Sequence, residues 1–252
     1  MGTIIQLSRK AYGLCITAFG IQQLCQGQIA GDFVPPGITP HPIAYVWCVL
    51  FILSGVAFFF DKWGYEAALL SGGVFLLCFL LVYLPYLIFF DPQNHAYIEW
   101  AGSIETLAFV GASFVFANSY APRPHFLPWL GKLAPYGRVF FSVMLILYGS
   151  YHFVYPVGVS RMVPDWMSGH LFWTYFAGVA LIGAGVAIIL KFQLRLVASL
   201  LGIMIFLWFV LIHIPTAIRD PYSNDGLELA RVFVSFGFTG ICFLMANPPT
   251  LA

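Results

Sequence analysis

The feature that most limits what this chain can fold into is a series of eight long apolar runs separated by short polar breaks. About 20 residues of α-helix cross the ~30 Å hydrocarbon core of a bilayer, and the runs are near that length. Unbroken runs favour helices over a barrel, whose strands alternate over about ten residues. The sequence therefore predicts an all-α integral membrane protein with eight transmembrane helices. Their expected positions are about 11–30, 43–60, 65–90, 100–118, 138–157, 170–190, 194–217 and 228–246.

The composition supports lipid as the solvent. Hydrophobic residues make up 61% of the chain and charged residues only 8%, against roughly 25% charged in an ordinary soluble domain. Eleven Lys and Arg residues against ten Asp and Glu residues leave no surplus charge to attract a polyanion. We therefore expect membrane lipid as a partner and exclude nucleic-acid binding.

The distribution of Lys and Arg predicts the orientation. With a cytoplasmic amino terminus, eight basic residues fall on the inner side and three on the outer side, which favours two cytoplasmic termini. Arg9-Lys10 before the first apolar run also resembles the start of a signal peptide. We expect a retained helix instead, because this run has a counterpart inside the chain.

That counterpart belongs to an internal repeat with an offset of about 129 residues. Each half is expected to hold four spans, and an even number places both halves the same way up. The expected architecture is two tandem parallel four-helix bundles, over 1–118 and 138–252, joined by a Pro-rich cytoplasmic linker, 119–137, with an extended or turning path. The matching pairs are Gly20 and Gly149, Val34-Pro35 and Val163-Pro164, His41 and His170, Pro85 and Pro215, Asp91-Pro92 and Asp220-Pro221, Glu99 and Glu228, and Gly111 and Gly240.

Polar residues collect near the predicted outer side, and the second half carries more of them. Its candidates are His152, His170, His213 and Glu228, whereas the first half has Gln23, His41, Tyr83 and Glu99 at the matching positions. Glu105 lies about 9 Å deeper than Glu99 at helical rise and is expected to face the bundle, paired with a glutamine of the first half. Ionisable residues within a span are functional candidates by default.

Each candidate also has a structural interpretation. Glu228 and Arg231 can form an i,i+3 pair, and His41 and His170 can lie among lipid head groups. His152 can hydrogen-bond a neighbouring helix. The histidines lie on separate helices without a paired ligand motif, which disfavours a metal or haem site. Cys25 and Cys48 lie at similar depth, so a disulfide between them and two small buried thiols both stay open.

Several stretches of the second half resemble the DoxX family of bacterial four-span membrane proteins. These are 149–153 (GSYHF), 162–167 (MVPDWM), 170–178 (HLFWTYFAG) and 185–187 (GVA). The chain looks like two such units in tandem, and the first keeps the pattern less well, with 20–24 (GIQQL) and 34–37 (VPPG). The resemblance implies a bacterial inner-membrane location. Family members include subunits linked to quinone reduction and proteins of oxidative-stress defence.

The resemblance suggests a quinone-interacting subunit of a membrane redox system, with a redox partner protein. In that hypothesis His152 is the proton-exchanging or head-group residue, and His170, His213 and Glu228 surround it. The alternative is a non-catalytic binder or carrier of an apolar metabolite or lipid, or a membrane assembly factor. A structural subunit without its own ligand is the third hypothesis.

Overall fold

The computed structural model describes residues 2–26, 41–90, 97–120 and 128–248, most of which are helical and none of which forms a strand. The long helices are α1 (Gly2–Gln26), α2 (His41–Phe59), α3 (Gly64–Cys78), α4 (Tyr97–Asn118), α6 (Gly137–Val154), α8 (His170–Ile189), α9 (Leu194–Trp208) and α11 (Ser223–Ala246). The short helices are α5 (Pro128–Leu133), α7 (Pro156–Ser160) and α10 (Ile214–Arg219). Three π-helical segments, Phe79–Tyr83, Tyr86–Phe90 and Phe209–His213, and a 3₁₀ turn, Ala134–Tyr136, complete the described elements.

Among the residues that the structure describes, five continuous helical stretches are long and apolar enough to cross a membrane. They are Gly64–Tyr83, Pro128–Val154, His170–Ile189, Leu194–Arg219 and Gly226–Ala246, with two shorter apolar helices, Tyr45–Phe59 and Ile104–Asn118. Their outer faces expose large apolar side chains, which is typical of lipid contact. Side chains more than half exposed include Leu53, Leu81, Val179, Leu196 and Leu200. The membrane class predicted from the sequence is confirmed at this level.

Helix α1 differs from the expected first span. It is 25 residues long but is not among the helices that meet the apolar criterion. The physical reason is its polar content: Arg9 and Lys10 lie in its first half, and Gln22, Gln23 and Gln26 end it. The eight-span arrangement therefore stays a prediction.

The long helices pack as a closed series in which the two halves share interfaces. Helix α1 packs on α2, α2 on α3, α3 on α4, and α4 on α6, and the order continues through α8, α9 and α11 back to α1. The fourth helix of each half thus lies against the first helix of the other half. The halves are therefore not independent packing units, although they match helix for helix.

Glycines set the closest helix approaches, and they do so at matching positions. A Cβ on Gly55 of α2 would lie 2.7 Å from the carbonyl oxygen of Gly13 in α1, and one on the matching Gly185 of α8 would lie 2.8 Å from that of Ser142 in α6. Small residues at such crossings let two backbones approach closely within a membrane. This pairing of α1 with α2 and α6 with α8 agrees with the predicted repeat.

Matching backbone distortions also support the repeat. The π-helical segments Phe79–Tyr83 and Phe209–His213 each end two residues before a proline, Pro85 or Pro215. A proline removes one backbone hydrogen bond and clashes with the carbonyl of the preceding turn, so the helix widens there. A proline therefore accompanies a widened helical turn at corresponding positions of the two halves.

The linker differs in part from the expected extended path. Residues 121–127 lie outside the described part of the chain, but Pro128 begins the short helix α5 and the 3₁₀ turn leads directly into α6. Proline is well suited to the first position of a helix, where its missing N–H has no intrahelical partner. Leu130 of α5 is 2% exposed and packs beside Gly73 of α3, which holds this end of the linker against the protein.

Candidate functional site

His152 lies near the end of α6 and is only partly buried. One of its ring nitrogens, Nδ1, is 2.7 Å from the backbone carbonyl oxygen of Tyr148, one turn earlier in the same helix. Its Cβ faces α8 beside Gly178, where a side chain would lie within 2.9 Å. This hydrogen bond lies within α6 and not to a neighbouring helix, the partner that the structural interpretation expected, and it leaves Nε2 for a ligand.

His170 is not level with His152. It is the first residue of α8, eight residues before Gly178, the glycine that packs against His152. Eight residues of helix span about 12 Å. His170 therefore lies nearer the helix end than Gly178, a position suited to contact with lipid head groups.

His213, Glu228 and Arg231 are brought together at one end of the second half. Arg231 Nη1 donates a hydrogen bond of 2.6 Å to Glu228 Oε1, the pair expected from their i,i+3 spacing. His213 ends the π-helical segment of Phe209–His213, close enough for the Arg231 charge to act on its ring. Its Nδ1 is buried without a hydrogen-bond partner in the described part of the chain.

Two predicted candidates cannot be placed by their side chains. His41 begins α2 and Glu99 lies in the first turn of α4, but their side chains lie outside the described part of the structure, as does the whole of Asp91-Pro92. Their roles therefore stay predictions.

Glu105 lies on α4, inside the protein, where every residue from 104 to 117 is buried. Its side chain is 8% exposed. Two ring pairs fix the antiparallel register between α4 and α1: Tyr12 with Phe116, 5.8 Å apart, and Phe19 with Phe109, 6.0 Å apart. Moving one residue toward the carboxyl end of α1 therefore corresponds to moving one residue toward the amino end of α4.

This register places Gln23 of α1 level with Glu105. Gln23 lies one helical turn beyond Phe19, and Glu105 lies one turn before Phe109. Gln23 is 1% exposed, and both residues take part in polar or electrostatic interactions. The expectation that Glu105 faces a glutamine of the first half agrees with this register.

Tyr83 approaches the same layer from the π-helical segment Phe79–Tyr83, which packs against α4. The side chain is 2% exposed and also has an interaction partner. Gln22 extends the layer to α11, because its Nε2 donates a hydrogen bond of 2.6 Å to the carbonyl oxygen of Gly226. We call Gln22, Gln23, Tyr83 and Glu105 the buried polar layer.

A second polar cluster, which the sequence analysis missed, joins α1, α2 and α4 at their other end. Arg9 forms an ion pair of 3.3 Å with Asp61 and donates a hydrogen bond of 2.9 Å to Ser119 Oγ. Its guanidinium lies 3.6 Å from the centre of the Tyr120 ring, and the Tyr120 hydroxyl donates to Asp61. Arg9, Asp61 and the Ser119-Tyr120 pair are far apart in the sequence and follow no helical spacing, so the sequence gives no sign that they meet. The packing of α1, α2 and α4 brings them together.

An apolar crevice of about 220 Å³ opens between α2 and α3. Trp47 and Phe75 stack at one end with ring centroids 5.8 Å apart. Ser54 and Ser71 share a hydrogen bond of 2.7 Å across the crevice, which leaves mainly apolar surface for a ligand. The remaining lining residues are Leu50, Leu53, Ala67, Leu70 and Val74.

The side chains that could bind a metal ion or form a disulfide lie apart from one another in the described part of the chain. The described residues contain no group of three His, Cys, Asp or Glu side chains that could hold a metal ion. All five cysteines are free: Cys25 is exposed and Cys48 is buried, so the disulfide between them is not formed.

The comparisons with known proteins give one match. A family model described as a domain of unknown function (DUF8561) matches residues 141–235, from the first turn of α6 to the middle of α11. No curated protein and no solved structure matches the chain. The match covers less than half of the chain, and it contains His152, His170, His213, Glu228 and Arg231.

Proposed function

We propose that the chain is a DoxX-like protein of the bacterial inner membrane that binds a quinone, as the quinone-interacting subunit of a membrane redox system. The single observation that carries this proposal is the apolar crevice between α2 and α3. It is open on the face of the protein that exposes large apolar side chains. A ligand with an isoprenoid tail would enter it from the bilayer.

The membrane arrangement is part of the proposal. We propose eight spans in two tandem parallel four-helix units, with both termini cytoplasmic. The matched glycine contacts and π-helical segments of the two halves support this arrangement. The five apolar helices support a membrane location.

The head group of the quinone needs polar contacts near the membrane surface. His152 is proposed as the residue that exchanges a proton with it, since Nδ1 is bound to the helix backbone and Nε2 is left for a ligand. His170, His213 and Glu228, with His41, Glu99 and Glu105, are the other proposed polar contacts. Electrons would come from a redox partner protein.

A second candidate function is a carrier or binder of a lipid or another apolar metabolite. The shared hydrogen bond of Ser54 and Ser71 favours it, because the bond satisfies both hydroxyls and makes the crevice suited to a plain acyl chain. A quinone and an acyl chain share this apolar chemistry, so the experiment must separate them.

The test is to purify the protein in mild detergent and to identify co-purifying small molecules by mass spectrometry. A stoichiometric quinone is the expected result, and a stoichiometric lipid without quinone would support the carrier instead. If only bulk lipid is present, both binding functions are wrong and an assembly role takes their place.

A matched variant locates the bound molecule. Ser71→Leu places in the crevice the residue that the second half has at the equivalent position, Leu201. The added side chain should fill the crevice and abolish co-purification. Ala67, one turn before Ser71, lines the crevice, whereas its neighbour Glu66 does not. Glu66→Gln is therefore the control variant that should retain the ligand.

A further inference from the structure

We propose that Gln23, Tyr83 and Glu105 bind the polar head of the membrane-soluble ligand, whose tail lies in the crevice between α2 and α3. The inference rests on the proposed function and names the head-group site, which it places at these residues of the first half instead of at His152 of the second half. The chemical class of ligand is a molecule with hydrogen-bonding ring oxygens on an apolar tail.

The three side chains are among the most deeply buried polar groups of the protein. Gln23 and Tyr83 are 1% and 2% exposed, and Glu105 is 8% exposed within an α4 segment that is buried throughout. The register between α1 and α4 places Gln23 level with Glu105. Polar groups at such depth are costly unless they meet one another or a polar ligand.

The fold itself does not require a carboxyl group at position 105. In the second half the equivalent position of α11 is Val234, although α11 packs against α1 as α4 packs against α6. Replacing a buried polar group by an apolar residue of similar size is often neutral or stabilising. Because valine satisfies the packing at the equivalent position, the glutamate at position 105 indicates a role beyond packing.

The polar layer still has hydrogen-bonding capacity. Gln22, which is 8% exposed, donates through Nε2 to Gly226, but its Oε1 is buried without a hydrogen-bond partner in the described part of the chain. This acceptor lies on the same turn of α1 as Gln23. A ligand hydroxyl or a water that accompanies the ligand would satisfy it.

The crevice and the polar layer adjoin each other. Phe75 lines the crevice, and its ring centroid lies 5.5 Å from that of Phe109, one turn from Glu105. Tyr83 lies eight residues beyond Phe75 on the same continuous helix, about 12 Å along its axis. A head group at Glu105 and a tail beside Phe75 are therefore within the length of one ligand molecule.

The π-helical segment gives Tyr83 its direction. An inserted residue in a helix turns the side chains that follow, and such π-bulges are frequent at functional sites. The matching segment of the second half ends at His213, beside Arg231. The first half thus combines an uncharged polar group with a carboxyl group, whereas the second half has a histidine with an arginine.

The test measures binding of a decyl-tailed benzoquinone to the full chain in detergent. Quenching of Trp47 fluorescence reports occupancy, because Trp47 lines the crevice, and the Trp47→Phe variant measures the background quenching of the other tryptophans, which is subtracted. Glu105→Val should raise the Kd about tenfold or more, the size expected for losing the hydrogen bond that a protonated Glu105 carboxyl donates to a quinone carbonyl. Glu66→Gln, which alters a carboxyl group outside the crevice lining, should leave the Kd unchanged.

A spectroscopic measurement separates head-group contact from packing. Hydrogen bonding lowers the infrared stretching frequency of the quinone carbonyls, so bound probe should show a downshifted band in the wild type and in Glu66→Gln but not in Glu105→Val. Glu105→Gln should keep part of the shift, because its amide still donates a hydrogen bond.

The outcomes distinguish the two proposals. No quenching in the wild type would overturn the proposed function, and this inference with it. Binding that is unchanged in Glu105→Val, with the carbonyl band still shifted, would overturn the head-group site alone. If Glu105→Val fails to fold, Glu105→Gln and Tyr83→Phe take its place, and unchanged affinity in both would overturn the assignment.

Discussion

The side chain of Gln22 donates a hydrogen bond of 2.6 Å to the backbone carbonyl of Gly226, which ties the first helix of the chain to the last. Gly226 has a positive φ of 75°, and a Cβ on it would collide with the amide of Gln26. The contact lies where α11 of the second half packs against α1 of the first. Polar and steric constraints therefore meet at one point of the interface between the halves.

Gly226→Ala is expected to weaken this interface. The substitution strains a left-handed backbone and forces the Gln26 amide to move, so unfolding free energy should fall by about 1–3 kcal/mol. Gly2→Ala is the control, since a Cβ there meets nothing within 4 Å. Thermal unfolding in detergent checks the prediction, and equal melting temperatures for the two variants would contradict it.

The membrane class was predictable from the sequence, whereas the contacts between the two halves were not. Pro85 and Pro215 match when the chain is aligned with itself, and a π-helical segment precedes each of them in the structure. The partner of α4, by contrast, depends on how Gly111 approaches Phe141 of α6. No local sequence pattern specifies whether α4 packs against α1 of its own half or against α6 of the other half.

The candidate site shows the same division. The i,i+3 pair of Glu228 and Arg231 follows from helix geometry and is confirmed. The sequence predicts that His152 and His170 both collect near the outer side, but the contact of His152 with Gly178 leaves His170 about two helical turns farther toward the end of α8. The buried polar layer depends on helix rotation, which the ring pairs of Tyr12 and Phe19 reveal only in the fold.

The glycine crossing of α6 and α8 leads to a second prediction. Gly178→Ala would place a methyl group 2.7 Å from the Phe153 ring and 2.9 Å from His152 Cβ. The helices must then separate, at a cost of about 1–3 kcal/mol. Gly183→Ala in the same helix should be neutral or slightly stabilising, because open space surrounds it and alanine is the better helix former. Unfolding in a denaturing detergent measures both, and a less stable Gly183→Ala than Gly178→Ala would refute the crossing.

The cluster around Arg9 leads to a third prediction. Arg9→Ala removes an ion pair, a hydrogen bond to Ser119 and a contact with the Tyr120 ring, so stability should fall by about 2–3 kcal/mol. Asp61→Asn should cost less, about 1 kcal/mol, because Asp61 is 44% exposed. Lys62→Ala, at an exposed neighbour, is the control for altered charge. The melting temperatures of the three variants check this prediction. A lower melting temperature for Asp61→Asn than for Arg9→Ala would contradict the central role of Arg9 in the cluster.

The cysteines provide a fourth prediction, which also tests orientation. Cys25 is exposed at the end of α1, while Cys15, Cys48 and Cys242 are buried. A membrane-impermeant maleimide added to intact cells should therefore label Cys25 if the amino terminus is cytoplasmic, since α1 would then end on the outer side. Cys25→Ser should abolish the label, and the buried thiols should react only after denaturation. If Cys25 is labelled only in inverted membrane vesicles, the proposed orientation is wrong. The helix packing would not be affected by this result, because the burial of the other thiols does not depend on which side faces the cytoplasm.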